Sequence, residues 1–168
     1  MNAHGFCGYR AAMTQLDAPI IFVDADACPV KEEIYKVAWR HGVPVRIVSN
    51  QRIRVPDHPL IERVIVSDAF DAADDWIAER AGPGAVVVTG DILLADRCLK
   101  AAASAVLAPN GKPFTAASIG GAIATRAIMA DLRAGADGIK SGPAPFAKAD
   151  RSRFLQALDE ALVRARRG

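Results

Sequence analysis

Two spacings of apolar residues alternate along the chain. Short, nearly unbroken runs at 20–23, 45–49, 63–66, 85–89 and 105–107 are rich in Val and Ile. Runs of that length and branching predict strands, and the charge-free run at 85–89 predicts one buried on both faces. Between them, apolar residues recur three and four apart, the spacing of one helix face. Val30, Ile34, Val37 and Ala38 predict a helix that starts at Pro29 and stops at Gly42. A second helix is expected over 69–81, opened by Ser67 or Asp68 and stopped by Gly82-Pro83-Gly84. A third is expected over 92–103.

Two longer helical stretches follow. The one at 116–134 is built from small residues and opened by Thr115. Its internal pair Gly120-Gly121 weakens the helix and permits close packing, on its own sheet or on another subunit. The last, 151–166, is opened by Asp150 and carries the stripe Phe154, Leu155, Leu158 and Leu162. Residues 54–59 read as a loop because of their prolines, and 135–148 as a glycine- and proline-rich loop. Residues 1–18 show no period and read as a flexible extension, with Met13 a second candidate start. The remainder, 19–168, reads as one domain.

Strands alternating with helices predict right-handed crossovers between parallel strands. The expected fold is α/β: a doubly wound, mostly parallel five-stranded sheet with helices on both faces. A 3-2-1-4-5 strand order places the first and fourth strands side by side at the switch point, where such sheets bind ligands.

That point is acidic. The first strand runs into Asp24-Ala25-Asp26-Ala27-Cys28-Pro29, and the fourth into Gly90-Asp91. Alternation along an extended chain turns Asp24 and Asp26 the same way. Asp71, Asp74 and Asp75 begin the preceding helix, and Asp96 lies in the following one. Each Asp taken singly is accounted for as a helix cap. Together they repel, and a bound cation relieves the repulsion. Oxygen donors without His or Cys spacing suit Mg²⁺ or Mn²⁺ rather than zinc. The expected ligands are Asp24 and Asp91, with Asp71, Asp74 and Asp96 as further candidates. Asp24, Asp26 and Asp91 are the expected catalytic set.

Composition narrows the choice of class. Hydrophobic residues make up 51% of 168, enough for a folded core, while aromatics at 6% argue against a stacking platform for single-stranded nucleic acid. Net charge is +2, divided as −2 over residues 1–139 and +4 over 140–168. A basic tail can hold phosphates, though a solvated helix face is the plainer explanation. Three cysteines without a Cys-x-x-Cys suggest a reducing, cytoplasmic setting. No apolar run approaches a membrane span.

The strand-one motif, Ser49-Asn50-Gln51, Asp71 with Asp74, and Thr89-Gly90-Asp91-Ile92-Leu93-Leu94-Ala95 resemble the bacterial YaiI/YqxD family. So do Asn110-Gly111 with Phe114-Thr115, Gly142-Pro143, and Asp150-Arg151-Ser152-Arg153-Phe154. The similarity runs from about Ile20 to the end. That largely uncharacterised family resembles PIN-like, Rossmann-type nuclease domains, which gather acidic residues around Mg²⁺ or Mn²⁺. The resemblance implies metal-dependent cleavage of RNA or DNA, with Asp24 and Asp91 at the acidic positions after strands one and four. It leaves Asp71 or Asp74 for the helical position and Asp96 for a fourth.

Other chemistries compete. Asp24-x-Asp26, Ser49 and Gly90-Asp91 with Asp96 also resemble a haloacid-dehalogenase-like phosphatase with Asp24 as nucleophile, but no Lys lies between Ser49 and Asp91. A cysteine phosphatase needs an Arg where Ile34 stands, so Cys28 reads as a small residue packed at the turn. A noncatalytic reading gives nucleic-acid binding to the tail, through Arg151, Arg153, Arg164, Arg166 and Arg167 with Lys140 and Lys148. Asn50 and Arg52 leave the second strand beside the acidic edge and are the nearer candidates to hold a phosphate.

Overall fold

The computed structural model describes residues 18–26, 28–135 and 146–168, without side chains for 133–135. The flexible reading of 1–18, all but its last residue, and the loop reading of 136–145, which includes Lys140 and Gly142-Pro143, lie outside the described residues. The elements are β1 (Ile20–Asp24), α1 (Lys31–His41), β2 (Val45–Ser49), β3 (Ile61–Ile65), α2 (Ala72–Arg80) and β4 (Ala85–Val88). They continue with α3 (Ile92–Lys100), β5 (Ala105–Leu107), α4 (Ala116–Gly135) and α5 (Lys148–Arg167). The strands form one sheet in the order β3-β2-β1-β4-β5. Every neighbouring pair is parallel. The expected α/β fold and strand order hold.

The sheet separates two cores. Ile21 and Val23 of β1 point to one side, with Val45 and Ile47 of β2 and the apolar faces of α1 and α5. Phe22, Val48 and Val87 point to the other side, toward α2, α3 and the start of α4. This is why the strands read as runs rather than alternations: both faces of the central strands are buried. In α5, Phe154, Leu158 and Leu162 are fully buried, while Leu155 is half-buried at the edge.

Several boundaries differ from the expected ones, each for a local reason. The first helix begins at Lys31 because Pro29 and Val30 form a turn before it. The second begins at Ala72, after Asp71 takes a left-handed backbone, φ 59°, that no preceding helical turn tolerates. The third ends at Lys100, followed by left-handed Ala102, φ 64°. The last begins three residues early. There Asp150 sits inside the first turn, and its Oδ2 accepts the Ala147 N–H at 2.9 Å. The third strand is Ile61–Ile65, set by its pairing with β2 from Val45 opposite Ile61 onward.

Gly111 holds the edge of the sheet to α5. Its φ is +87°, and a Cβ there would lie 2.7 Å from the Arg153 carbonyl carbon and 2.8 Å from the Phe154 nitrogen. Both contacts are backbone, so neither can swing aside. Gly111→Ala therefore costs the left-handed penalty plus a displacement of α5, about 2 kcal/mol or more. That is a fall in Tm of about 4–8 °C. Gly42→Ala shares the positive φ but meets nothing within 4 Å, so it should cost less than half as much. Equal melting points for the two variants would show that the close approach does not constrain the fold.

Candidate functional site

Parallel pairing brings the ends of β1 and β4 together. Val23 lies opposite Val88, so the chain after each strand leaves on the same edge of the sheet. Thr89 is the first residue beyond β4 and is buried. Its hydroxyl donates to Asp24 Oδ2 at 3.0 Å and accepts the Asp91 N–H at 3.0 Å. One side chain thus fixes the first acidic position and the backbone of the second.

Asp91 caps α3. Its Oδ1 accepts from the N–H groups of Leu93 at 2.8 Å and Leu94 at 3.3 Å. The capping explanation is correct for this residue, yet Asp91 also lines the cleft beside Asp24. Capping does not explain Asp71, which stands at the N-cap of α2 without a side-chain bond to the helix.

The cleft is an open cavity of about 680 Å³ over the carboxyl edge of the sheet. Asp24, Asp26, Asn50, Asp68, Asp71, Asp74 and Asp91 line it. Charge accumulates accordingly. Burial raises the carboxyl pKa of Asp24, the Thr89 hydrogen bond partly opposes this, and Asp26 and Asp91 raise it again. Asp74 is pushed up to about 6, by burial first and then by the charges of Asp91, Asp24 and Asp71. Carboxylates from β1, α2 and the β4–α3 junction therefore sense one another across a single space. Among the described residues, no three His, Cys, Asp or Glu side chains are placed to grip a metal ion by themselves.

The other candidates divide. Asn50 lines the cleft; Arg52, Asp96, Arg151 and Arg153 do not. Asp96 pairs with Lys100 at 2.7 Å, one helical turn away. Arg151 ties α5 to α1, donating to Glu33 Oε1 at 3.1 Å and to the Pro29 carbonyl at 2.9 Å. Arg153 pairs with Asp150 at 2.7 Å. Arg52 is exposed, without a side-chain partner among the described residues. Asp75, grouped with Asp71 and Asp74 in the sequence, turns instead to Arg97 at 2.9 Å. Ser49, the hydroxyl of the phosphatase reading, is fully buried and accepts the Gln51 N–H at 3.0 Å, away from the cleft. Cys28 packs in the core near the turn, where burial raises its thiol pKa.

Two cleft residues escaped the sequence reading. Among the described residues Arg126 of α4 is the one basic side chain lining it, and Phe70, 92% exposed, stands on its rim. For Arg126 a signal existed. It follows Ile119, Ala122 and Ile123 at helical spacing, so it shares their packed face. Phe70 carried none, since a single aromatic in a polar loop has no period.

The fold and the cleft define a doubly wound α/β domain with an acidic site at its topological switch point. The chain belongs to the family described as "Uncharacterized BCR, YaiI/YqxD family", whose sequence profile it matches over residues 22–164. It is 76% identical over 153 residues to a UPF0178 protein of Sphingopyxis alaskensis, covering 91% of this chain and 99% of that one. It is 62% identical over 146 residues to a UPF0178 protein of Jannaschia sp., covering 86% and 93%. A UPF0178 protein of Nitrobacter winogradskyi is 60% identical over 147 residues, covering 88% and 92%. No solved structure matches. Among the described residues, no helix is long and apolar enough to cross a membrane.

Asp74 makes stability depend on pH with a definite sign. Its pKa is raised from 3.8 to about 6 on folding, so the folded chain holds the proton more tightly than the unfolded one. Stability then falls as pH rises through that window. Asp74→Asn removes the penalty. After allowance for solvent screening, the gain at neutral pH is on the order of 1 kcal/mol, about 2–4 °C in Tm. Thermal melts should show that gain shrinking as pH falls toward about 4. A gain equal at both pH values would mean that neither burial nor its acidic neighbours raise the Asp74 pKa.

Proposed function

We propose that this chain is a divalent-cation-dependent phosphodiesterase acting on nucleic acid in the switch-point cleft. The observation that carries the reading is the convergence of Asp24, Asp74 and Asp91, from three elements, on a space that also holds Arg126 and Asn50. Carboxylates alone would repel a phosphate. A hard cation between them reverses that, and Mg²⁺ commonly uses only one or two carboxylates beside water and substrate oxygens. The donors fit such a shared site better than a closed cage. Mg²⁺ or Mn²⁺, when bound, supplies an activated water and neutralises charge on the leaving oxygen.

The residues then take distinct tasks. Asp24, oriented by Thr89, and Asp91, oriented by its cap, set carboxyl oxygens beside each other past the ends of β1 and β4. Asp74 brings a third carboxylate, from α2, into the same space, where it can share the cation or pass a proton to or from the reacting oxygens. Arg126 and Asn50 can hold the nonreacting phosphate oxygens. Phe70 offers its ring to an unstacked base. The phosphatase reading is disfavoured by the buried, engaged hydroxyl of Ser49.

Purified Asp24→Asn should lose about 100-fold or more of Mn²⁺-dependent oligonucleotide cleavage, with an unaltered circular dichroism spectrum. Arg126→Ala should act mainly by raising KM. Wild-type cleavage rates in Asp24→Asn would refute the assignment. Faster turnover of phosphomonoesters than of oligonucleotides, with a trapped aspartyl-phosphate, would move it to the phosphatase class. No turnover of either would leave a binding domain.

A further inference from the structure

We infer that α4 pairs antiparallel with the α4 of a second copy of this chain, about a twofold axis passing between Ala124 and Thr125. The helix uses little of its surface against the described residues of its own chain. Ile119 is buried, Ala122 and Ile123 are half-buried, and Arg126 lines the cleft. These four positions make one face, and α3 is the main helix that α4 packs against. From Ala124 to Leu132 every side chain is exposed. A half-helix of that length is marginal in water without a partner.

The opposite face is apolar too. Ala117, Gly121, Ala124, Ile128 and Leu132 follow one another at spacings of three and four, so they form a second stripe on the outer side. All five are exposed, with Ile128 and Leu132 both at 60%. Met129, 42% exposed, widens the stripe at the same end. Among the described residues, nothing packs closely on Gly120 or Gly121. A Cβ added at Gly120 or Gly121 meets nothing within 4 Å, and neither needs a positive φ. Each nonetheless weakens the helix by about 1 kcal/mol relative to Ala. Among the described residues, Gly120-Gly121 makes no close approach to the chain's own sheet, and an external backbone is what a missing side chain would admit.

The stripe is complementary to itself, which selects the partner. Its N-terminal half is small and its C-terminal half is large. With the axis between 124 and 125, Ile128 of one copy falls opposite Gly121 of the other, and Leu132 opposite Ala117. Ala124 meets Thr125. Each large side chain enters the space its counterpart leaves, twice over, as a twofold interface requires. The charge that borders the stripe, Asp131, falls opposite Ser118 of the other copy in this register, so copies meet without like-charge repulsion. The helix is about 30 Å long, and each exposed half lies across the packed half of the other copy. A parallel pairing would set Ile128 and Leu132 against each other and leave the glycines facing a gap.

Light scattering on the full-length protein at about 50 µM, a concentration at which such association registers by mass action, should give twice the 17.8 kDa chain mass. Ile128→Asp with Leu132→Asp should return it to the monomer mass with a cooperative melt retained, because both side chains are exposed. Ala124→Cys should form an oxidised dimer on denaturing gels that the wild type and the exposed control Gln156→Cys do not form. Overturning results are a wild-type monomer, which would assign the stripe to the chain's own residues or to nothing, or a double variant that stays dimeric. Equal cross-linking of Ala124→Cys and the control would likewise refute this axis.

Discussion

The hydroxyl of Thr89 is the joint on which the site depends. It lies in the gap between the two central strands and is nearly sealed from water. By donating to Asp24 and accepting from the Asp91 backbone, it sets both acidic positions by one group. A buried hydroxyl with an unmet donor or acceptor costs free energy, so the geometry that satisfies both is strongly preferred. Two of the cleft's acidic residues, Asp24 and Asp91, are arranged around that joint. Asp26 stands two residues beyond Asp24, in the turn after β1, and the first turn of α2 brings Asp74 from the neighbouring crossover.

The sheet makes this placement possible at small local cost. β1 and β4 are covered on both faces, by α1 and α5 on one side and by α2, α3 and the start of α4 on the other. Their acidic ends are set close to the first turn of α2, which carries Asp74. The result is a carboxylate held to a pKa of about 6 in an otherwise stable edge. Groups tuned in this way are concentrated where chemistry is done, although structural ion networks produce them as well. Here the shift comes from burial and like charges, with Arg97 as a lesser opposing influence. Elsewhere the chain pairs its ions, as at Arg151 with Glu33 and Arg40 with Asp159.

The fold was largely legible in the sequence because branched apolar runs and their flanking glycines repeat a rule of period. β2 and β5 fall where that rule puts them, and the strand order follows from crossover handedness. The helix starts were less legible. A left-handed Asp71 or an Asp150 acting from inside its helix leaves no trace in spacing alone. In the site, Asp24, Asp26, Asp71, Asp74 and Asp91 could be brought together on paper because each stands next to a strand end or helix start. The basic residues could not. Arg151 finds Glu33 across 118 positions, and Arg126 reaches the cleft only through the packing of α4. Charge partners are chosen by the folded surface, and a single sequence does not record that choice.

The claim at the centre of this account is that the switch-point carboxylates act as one cation site. Calorimetric titration of Mn²⁺ into the wild type and Asp24→Asn, each with an uncleavable oligonucleotide present, tests it most directly. The wild type should give a saturable binding heat that disappears in the variant. Heat unchanged by the substitution, or absent from both proteins, would contradict it and leave the aspartates as helix caps and solvated charges.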